Sequence, residues 1–301
     1  MQIAELGSLT RAAERLGIAQ PSLSRQVRLL EQELGVTLFS RGARGMRLTD
    51  AGEALRLQIS GPMRQIGHAL YEVRSLPTEP SGCVALGMPP SFVAVLGARL
   101  AAKARDRMPN VSLRIVEGYS GHLFDWMKRG ELDAAILYGP SPSGVNATRL
   151  LDDELVLVGA TSVMPSEDIA FEELSCFPLV LASLAHGLRL AIDSAAAKAG
   201  TTLLVHCETD SYRLTLDILR SGEAFAILPP SAVQVDLASG SLSIARIVDP
   251  VPSRQVFVAV QSGAVSPRAV LRVEQMLRDE IAELAREGAF AGGRVLGVGD
   301  L

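Results

Sequence analysis

Apolar residues recur at intervals of three and four between Leu9 and Leu16, the spacing that places them on one face of a helix. Ser8 precedes this segment and suits its N-cap, because a serine hydroxyl accepts a hydrogen bond from an unpaired N–H of the first turn. Gly17 follows, and glycine tolerates the left-handed conformation of a helix end. The pattern therefore predicts a short amphipathic helix.

A second helix is predicted from Pro21 to Leu34, since proline at the first helical position forfeits no hydrogen bond. Its apolar side is formed by Leu23, Val27, Leu30 and Leu34. Its polar side carries Ser24, Arg25 and Arg28, with Gln20 just ahead of the helix and Ser22 at the flank. Such a face suits the DNA major groove, where serine, glutamine and arginine bond base edges and phosphates. An ordinary amphipathic surface helix has the same pattern, so the helix alone leaves both interpretations open.

A glycine- and arginine-rich segment follows, from Phe39 to Thr49. Its glycines permit a tight turn, and Arg41, Arg44 and Arg47 are placed to reach phosphate or a minor groove. This composition is typical of the hairpin in a winged helix-turn-helix, although a solvated basic loop looks the same in isolation. Together with the two helices before it, the segment favours a DNA-binding head over residues 1–50, in which Ser8 is a further candidate contact to DNA.

A long helix is predicted from Asp50 to about Leu76. Its apolar residues are spaced at close to the repeat of about 3.5 residues that is typical of two paired helices. The members of this repeat are Leu55, Ile59, Met63, Ile66, Leu70 and Val73. The repeat favours a seam between two copies, although packing on the chain's own core also gives it. Gly61–Pro62 should kink or split the helix, and residues 77–82 are typical of a hinge.

From Cys83 onward, short apolar strands alternate with helices, which predicts an α/β body with a largely parallel sheet. One group has strands at 83–88, 111–117 and 132–138 and helices near 91–107 and 121–130. A second group has strands at 178–183, 203–208, 225–229 and 243–248 and helices near 187–199 and 210–221. The segments 154–160 and 254–260 are predicted to cross between two lobes, lobe I (83–157 and 258–288) and lobe II (158–257). The last helix should end near residue 288, and a flexible tail is predicted over 289–301.

Two such lobes hold ligands in the crevice at the carboxyl ends of their strands, where helix N-termini direct N–H groups. The residues predicted at these positions are Pro90, Ser91, Ser120, Tyr138, Ser183, His186, Thr209 and Asp210. Each serine or threonine could instead be a plain helix cap, and His186 a solvent-facing loop residue. The helix N-termini favour a small anionic ligand, whereas Asp210 disfavours one.

Charge separates the head from the body. Residues 1–76 hold 10 arginines and 7 acidic residues, for a net charge of +3, and the remainder has a net charge of −7. A basic head on an acidic body fits a nucleic-acid-binding protein. The 301 residues, 48% of them hydrophobic, suffice for two or three units with cores. The three cysteines lie far apart without metal-ligand spacing, so we expect no metal or cofactor, and reduced thiols in a cytoplasmic protein.

Two runs of the head resemble the DNA-binding domain of LysR-type transcriptional regulators: LTRAAERLGIAQPSLSRQVRLLEQELGVTLFSR and RGMRLTDAGEAL. The similarity is dense and ungapped from Leu9 to Gly52, and the rest of the chain is similar to the family in length and element order. Within the family, the chain most resembles the nitrogen-assimilation-control branch. The resemblance implies a winged helix-turn-helix, a linker helix that pairs protomers, and a two-lobed α/β effector domain of type 2 periplasmic-binding-protein architecture.

The resemblance also implies partners and site residues. It implies a homodimer or homotetramer that binds double-stranded promoter DNA and a small-molecule effector, with RNA polymerase as a further partner to test. The groove-facing positions of the family are occupied here by Gln20, Pro21, Ser22, Ser24 and Arg25, and Ser91 and Ser120 match positions that hold carboxylate effectors. Relatives usually have most of a further helix before the position of Met1, so we expect Met1 to be an internal methionine and the first helix to be truncated.

Other classes of protein serve as alternatives. An enzyme is not expected, because the chain has no GxxxxGK(S/T), HExxH or GxSxG motif and its four histidines are scattered. A solute-binding protein would share the two lobes, but it would carry a signal segment and lack the basic head. A redox-responsive regulator that uses Cys207 is a further alternative, since some relatives of the family use cysteines.

Overall fold

The computed structural model describes residues 1–42, 45–74, 80–139, 143–184, 187–261, 267–288, 290 and 294–295, with the backbone alone at 68–69, 71–74 and 294–295. The chain divides into two compact units. One comprises residues 1–67 and 129–131, and the other comprises residues 68–128 and 132–301. The first contains the DNA-binding head and the second contains the body.

Three helices and a two-stranded hairpin build the head: α1 (Gln2–Leu6), α2 (Leu9–Leu16), α3 (Gln20–Leu34), β1 (Phe39–Gly42) and β2 (Gly45–Leu48). The predicted ends of α2 are confirmed. Ser8 Oγ accepts a hydrogen bond from the Arg11 N–H at 3.4 Å, and Gly17 ends the helix in the left-handed conformation. The small core beneath is formed by Ile3, Leu9, Ala12, Ala13 and Leu23. The arrangement is a winged helix-turn-helix.

The predicted apolar side of α3 is wrong in its second half. Leu23 is buried and Val27 is half-buried, but Leu30 and Leu34 are 43% and 45% exposed. The buried cluster of the head includes Leu23 and has Val27 packed against it. The later turns of α3 therefore do not take part in the core that the described residues form.

The next helix, α4 (Asp50–Arg74), continues through Pro62, so the alternative in which Gly61–Pro62 splits it is wrong. Met63, Ile66 and Leu70 of the predicted seam are all exposed. An apolar row on the surface of a single chain fits a seam between copies, which stays a prediction. Of the predicted hinge, residues 77–79 lie outside the described residues.

The body follows in the order β3 (Gly82–Met88), α5 (Pro90–Arg107), β4 (Val111–Glu117), α6 (Ser120–Lys128), β5 (Ala134–Tyr138), β6 (Val145–Glu154), β7 (Val156–Ala160), β8 (Ile169–Ala170), β9 (Leu179–Leu181), α7 (Gly187–Ala199), β10 (Val205–Glu208), α8 (Tyr212–Ser221), β11 (Ala226–Leu228), α9 (Gln234–Ser239), β12 (Leu242–Val248), β13 (Ser253–Gln261), α10 (Arg268–Arg286) and β14 (Arg294–Val295). Two 3-10 helices, Phe171–Cys176 and Pro230–Val233, lie in lobe II.

Lobe I is built on a six-stranded sheet with the order β14-β6-β13-β5-β3-β4. The strands β3, β4 and β5 are parallel as predicted, whereas β13, β6 and β14 run antiparallel to their neighbours. The sequence did not predict β6, because six of its ten residues are polar and no alternation marks it. One cluster of buried side chains includes residues of α5 and α10. A separate cluster includes residues of α6.

Lobe II holds a four-stranded sheet, β11-β7-β12-β8, and a parallel pair, β9 and β10. The chain crosses from β6 into β7 at Leu155 and returns from β12 to β13 over residues 249–252. Sheet membership thus places β7 in lobe II and all of β13 in lobe I, which shifts the predicted boundaries at 157 and 258 by a few residues. The reason is that hydrogen-bonded pairing, rather than apolar content, decides to which lobe a strand belongs.

The predicted flexible tail is packed wherever it is described. Phe290 is buried, and its ring centroid lies 5.8 Å from that of Phe92 on α5. Arg294 and Val295 pair with β6. Burial of the aromatic ring stabilises the position of Phe290, an effect that composition alone conceals.

Leu96→Ala should lower the free energy of unfolding by about 2–5 kcal/mol, because a fully buried leucine leaves a cavity when it is truncated. Leu271→Ala on α10 is the matched control, since Leu271 is exposed and its truncation should cost less than about 0.5 kcal/mol. Urea denaturation of both variants measures the difference. Equal losses would contradict this description of the core of lobe I.

Candidate functional site

The polar side of α3 is accessible in the head. Pro21, Ser22, Arg25 and Arg28 are exposed, and Gln20 and Ser24 are partly exposed. The Arg28 Nε lies 3.4 Å from the carbonyl oxygen of Ser24, which holds this guanidinium along the helix. Ser8 differs from the other predicted contacts, because its hydroxyl caps α2. The accessible residues form a continuous polar surface of the kind that contacts a DNA groove.

The strand register separates the two described arginines of the wing. Arg41 lies opposite Met46, whereas Arg47 lies opposite Ser40. Because side chains alternate along a strand, Arg41 and Arg47 lie on opposite faces of the hairpin. Arg41 lines the same shallow hollow as Ser24 and Arg28 of α3, so it extends the polar surface of the helix. Arg44, the third predicted contact, lies outside the described residues.

Glu31 fixes the start of the wing to α3. Its Oε1 accepts hydrogen bonds from the backbone N–H groups of Leu38 at 2.7 Å and Phe39 at 3.1 Å. Gly45 fixes the far strand, because it has a φ of +109° and an added Cβ would lie 2.4 Å from the carbonyl oxygen of Gly7. Sequence reasoning assigned no role to Glu31, since no motif marks an acidic residue on a helix that is predicted to contact DNA.

A cavity of about 690 Å³, including space open to solvent, lies between the two lobes of the body. Five predicted residues line it: Pro90, Ser91, Ser120, Tyr138 and Thr209. Ser91 Oγ lies 2.6 Å from the Tyr138 hydroxyl, and Ser120 Oγ accepts a hydrogen bond from the Tyr138 N–H at 2.9 Å. The prediction of a cleft at the ends of β3 and β5 is thus supported by geometry.

Ser183 and Asp210 were both predicted to contact a ligand, but they hydrogen-bond to each other and are not among the residues that line the cavity. Asp210 accepts hydrogen bonds from the backbone N–H and the hydroxyl of Ser183, each at 3.0 Å. Asp210 therefore organises the loop after β9, which removes the sequence argument that this carboxylate repels an anionic ligand. His186 lies outside the described residues.

The sequence missed an ion pair at the floor of the cavity. Arg254 lines the cavity, and its Nε and Nη2 donate to Asp153 Oδ2 at 3.1 Å and 2.8 Å. The two residues are 4% and 1% exposed. The guanidinium also lies over the Tyr138 ring, 3.7 Å from its centroid. Arg254 lies at the start of an otherwise apolar strand segment. A single charged residue at the end of a strand does not indicate in the sequence that it forms a buried ion pair.

Three tyrosines of the cavity keep their protons. Burial is the main cause that raises the pKa of Tyr119, Tyr138 and Tyr212, each to about 12. The Tyr212 hydroxyl donates to the carbonyl oxygen of Ala232 within lobe II. The Tyr119 hydroxyl, from the loop before α6, donates to the carbonyl oxygen of Asp210 in lobe II. This second bond joins the two lobes across the mouth of the cavity.

Among the described residues, no group of His, Cys, Asp and Glu side chains has the arrangement of a metal site. No described helix combines the length and the apolar character needed to cross a membrane.

A helix-turn-helix with a polar surface and a two-lobed body with a cavity between its lobes are the features of a DNA-binding regulator with an effector domain. Residues 1–53 match the family described as bacterial regulatory helix-turn-helix protein, lysR family. Residues 77–282 match the LysR substrate binding domain. The chain belongs to the LysR family of transcriptional regulators, and its fold is the winged helix-turn-helix and periplasmic-binding-like body of that family.

Individual relatives agree with this assignment. The chain is 31% identical over 290 residues to the nitrogen assimilation regulatory protein nac of Escherichia coli strain K12, covering 95% of this chain and 94% of that protein. Full-length OxyR from Pseudomonas aeruginosa is similar in structure, with a TM-score of 0.70, 26% identity and coverage of 93% and 91% of the two chains. Full-length CbnR bound to its target DNA has a TM-score of 0.68 and 18% identity, covering 93% of this chain and 96% of that one, which shows the shared fold alone. Members of the family bind promoter DNA and effectors and form oligomers.

Arg25→Ala should weaken promoter binding by about 1–3 kcal/mol, the usual effect of removing an arginine that reads a base edge. Arg105→Ala is the matched control, because it likewise removes an exposed positive charge, but from the body of the protein. Fluorescence anisotropy with promoter DNA measures both variants. If Arg25→Ala binds as tightly as Arg105→Ala, α3 is not the helix that reads DNA.

Proposed function

We propose that this regulator binds promoter DNA through α3 and the wing, and that a small molecule in the cavity between the lobes modulates that binding. The observation that carries the proposal is the cavity itself, which five independently predicted residues line. The sequence analysis expected a small anionic metabolite, because helix N-termini and the serines of the resemblance favour one.

The Tyr119–Asp210 bond supports a mechanism for this control. It is a hydrogen bond between the lobes at the mouth of the cavity, so its strength depends on how far the lobes are closed. A ligand that contacts both walls would favour the closed arrangement by its differential affinity for the two states. We propose that closure alters the spacing or the angle of the DNA-binding heads in an oligomer, and hence the bend in the DNA.

The redox alternative rests on Cys207, which lies partly exposed on β10 as a free thiol. The similarity to OxyR is limited to 26% sequence identity. The cavity supports control by a ligand more directly than a lone thiol supports redox control. A solute-binding protein is the other alternative, and it would have the two-lobed body without the head. The match of residues 1–53 to the helix-turn-helix family favours a regulator instead. We further propose that the protein acts in the cytoplasm, where promoter DNA lies.

Tyr119→Phe should change promoter affinity by about two- to tenfold in the absence of added ligand, because a lost hydrogen bond shifts the lobe equilibrium by about 0.5–1.5 kcal/mol. The same variant should alter the footprint on DNA. Thr161→Val is the control, since Thr161 Oγ1 donates to the carbonyl oxygen of Gly240 inside lobe II at 2.8 Å. Unchanged affinity and footprint for Tyr119→Phe would contradict control through lobe closure.

A further inference from the structure

We infer that the effector is an uncharged, largely apolar molecule with one hydrogen-bond-accepting group, such as a ketone, amide or ester. This inference deepens the proposed function and rests on it, because it concerns the same cavity. It departs from the small anion that helix N-termini suggest in the sequence. The reasons are the apolar wall of the cavity, the neutral ion pair at its floor and the hydroxyl groups of lobe I.

The two walls of the cavity differ in chemistry. Lobe II contributes an aliphatic wall that includes Leu181, Leu188, Ile192, Ile227 and Leu228. Lobe I contributes Ser91, Ser120 and Tyr138, whose hydroxyl groups lie near the ends of β3 and β5. Lobe II also contributes the hydroxyl-bearing residues Thr209, Tyr212 and Thr215, so a ligand that fills this space contacts hydrocarbon mainly on the lobe II side and hydroxyl groups from both lobes. A molecule polar on all sides, such as a dicarboxylate, would lose hydration on the aliphatic wall without a replacement.

Among the described lining residues of the cavity, the positive charge is balanced by a buried carboxylate that does not itself line the cavity. Arg254 is the one charged side chain there, and it donates two hydrogen bonds to the buried carboxylate of Asp153. The guanidinium is further covered by the Tyr138 ring. Asp153 already offsets the charge of this guanidinium and engages two of its five N–H groups, so an anionic ligand would gain less from it, and burial of an uncompensated anion is costly.

The argument requires that Asp153 be ionised. Burial raises the pKa of the Asp153 carboxyl above its ordinary value, and the positive charge of Arg254 opposes that rise. Protonation of Asp153 would leave the guanidinium buried without a counter-ion, which is the more costly state. The pair is therefore ionised together, and the variant below tests this directly.

The hydroxyl groups of lobe I have hydrogens to donate. Ser120 Oγ uses a lone pair to accept the Tyr138 N–H, so its own hydrogen remains for a ligand. The Ser91 and Tyr138 hydroxyls share one hydrogen between them, which leaves the second hydrogen for donation. Neutral donors of this kind suit a carbonyl oxygen.

The start of α5 offers an anion little. Pro90 has no N–H, and the N–H groups of Phe92 and Val93 both donate to the carbonyl oxygen of Pro89. The first turn of this helix thus provides only the Ser91 N–H for an incoming group.

Two nearly isosteric probes test the inference, 2-acetylnaphthalene and 2-naphthoate, which differ by a methyl group in place of a charged oxygen. Isothermal titration calorimetry on the full chain at neutral pH should give a Kd for the ketone at least about tenfold lower than that for the carboxylate. Ala182→Phe, which enlarges a partly exposed residue of the cavity lining, should abolish binding of the ketone. Tighter binding of the carboxylate, or no saturable binding of the ketone, would overturn the inference.

Asp153→Asn provides the second test, because it removes the counter-charge and should lower the ratio of the 2-naphthoate Kd to the ketone Kd by about tenfold. Asp152→Asn is the matched control, since Asp152 is next to Asp153 in the chain but its carboxylate bonds Arg149 at the surface. An unchanged ratio of the two Kd values in Asp153→Asn would mean that Asp153 does not neutralise Arg254. These assays measure ligand alone, so their failure differs from a failure of the Tyr119→Phe test, which measures DNA.

Discussion

The ion pair between Arg254 and Asp153 is the interaction on which the body depends most. The two residues are direct partners in the register of β13 and β6, the lobe I strands that adjoin the two crossings between the lobes. Loss of one partner from a buried pair typically costs about 3–5 kcal/mol, because the other charge is left uncompensated. The same pair forms part of the cavity floor beneath Tyr138, so one contact both secures the lobe junction and sets the charge that a ligand meets.

The head depends on a different kind of constraint. Its surface for DNA is assembled by backbone geometry around a core of few residues. Glu31 bonds the backbone at the entry to β1, and Gly45 allows β2 to approach the turn between α1 and α2. Arg41 is thereby brought beside α3, whereas Arg47 lies on the other face of the wing. The two arginines should therefore contribute differently, although they look equivalent in the sequence.

The sequence predicted the elements well where one residue pattern determines them. The caps of α2, the hairpin and the parallel core of lobe I follow from local spacing and are found as expected. It failed where distant partners decide the outcome. The strand β6 is mostly polar and exists because β13 pairs with it, and Phe290 is buried because Phe92 is near. Within the cavity, Ser91 and Ser120 were predicted from helix starts, but Arg254 required knowledge of its counter-ion on another strand.

The most direct test of the account as a whole is the binding of the full chain to the intergenic DNA upstream of its own coding sequence. A fluorescence anisotropy titration would be performed at about 50 and 200 mM salt, since phosphate contacts make affinity fall steeply with salt. The account predicts saturable binding at the lower salt that weakens by at least about tenfold at the higher one. Absent binding, or binding that does not respond to salt, would contradict the assignment of α3 and the wing as a DNA-binding surface.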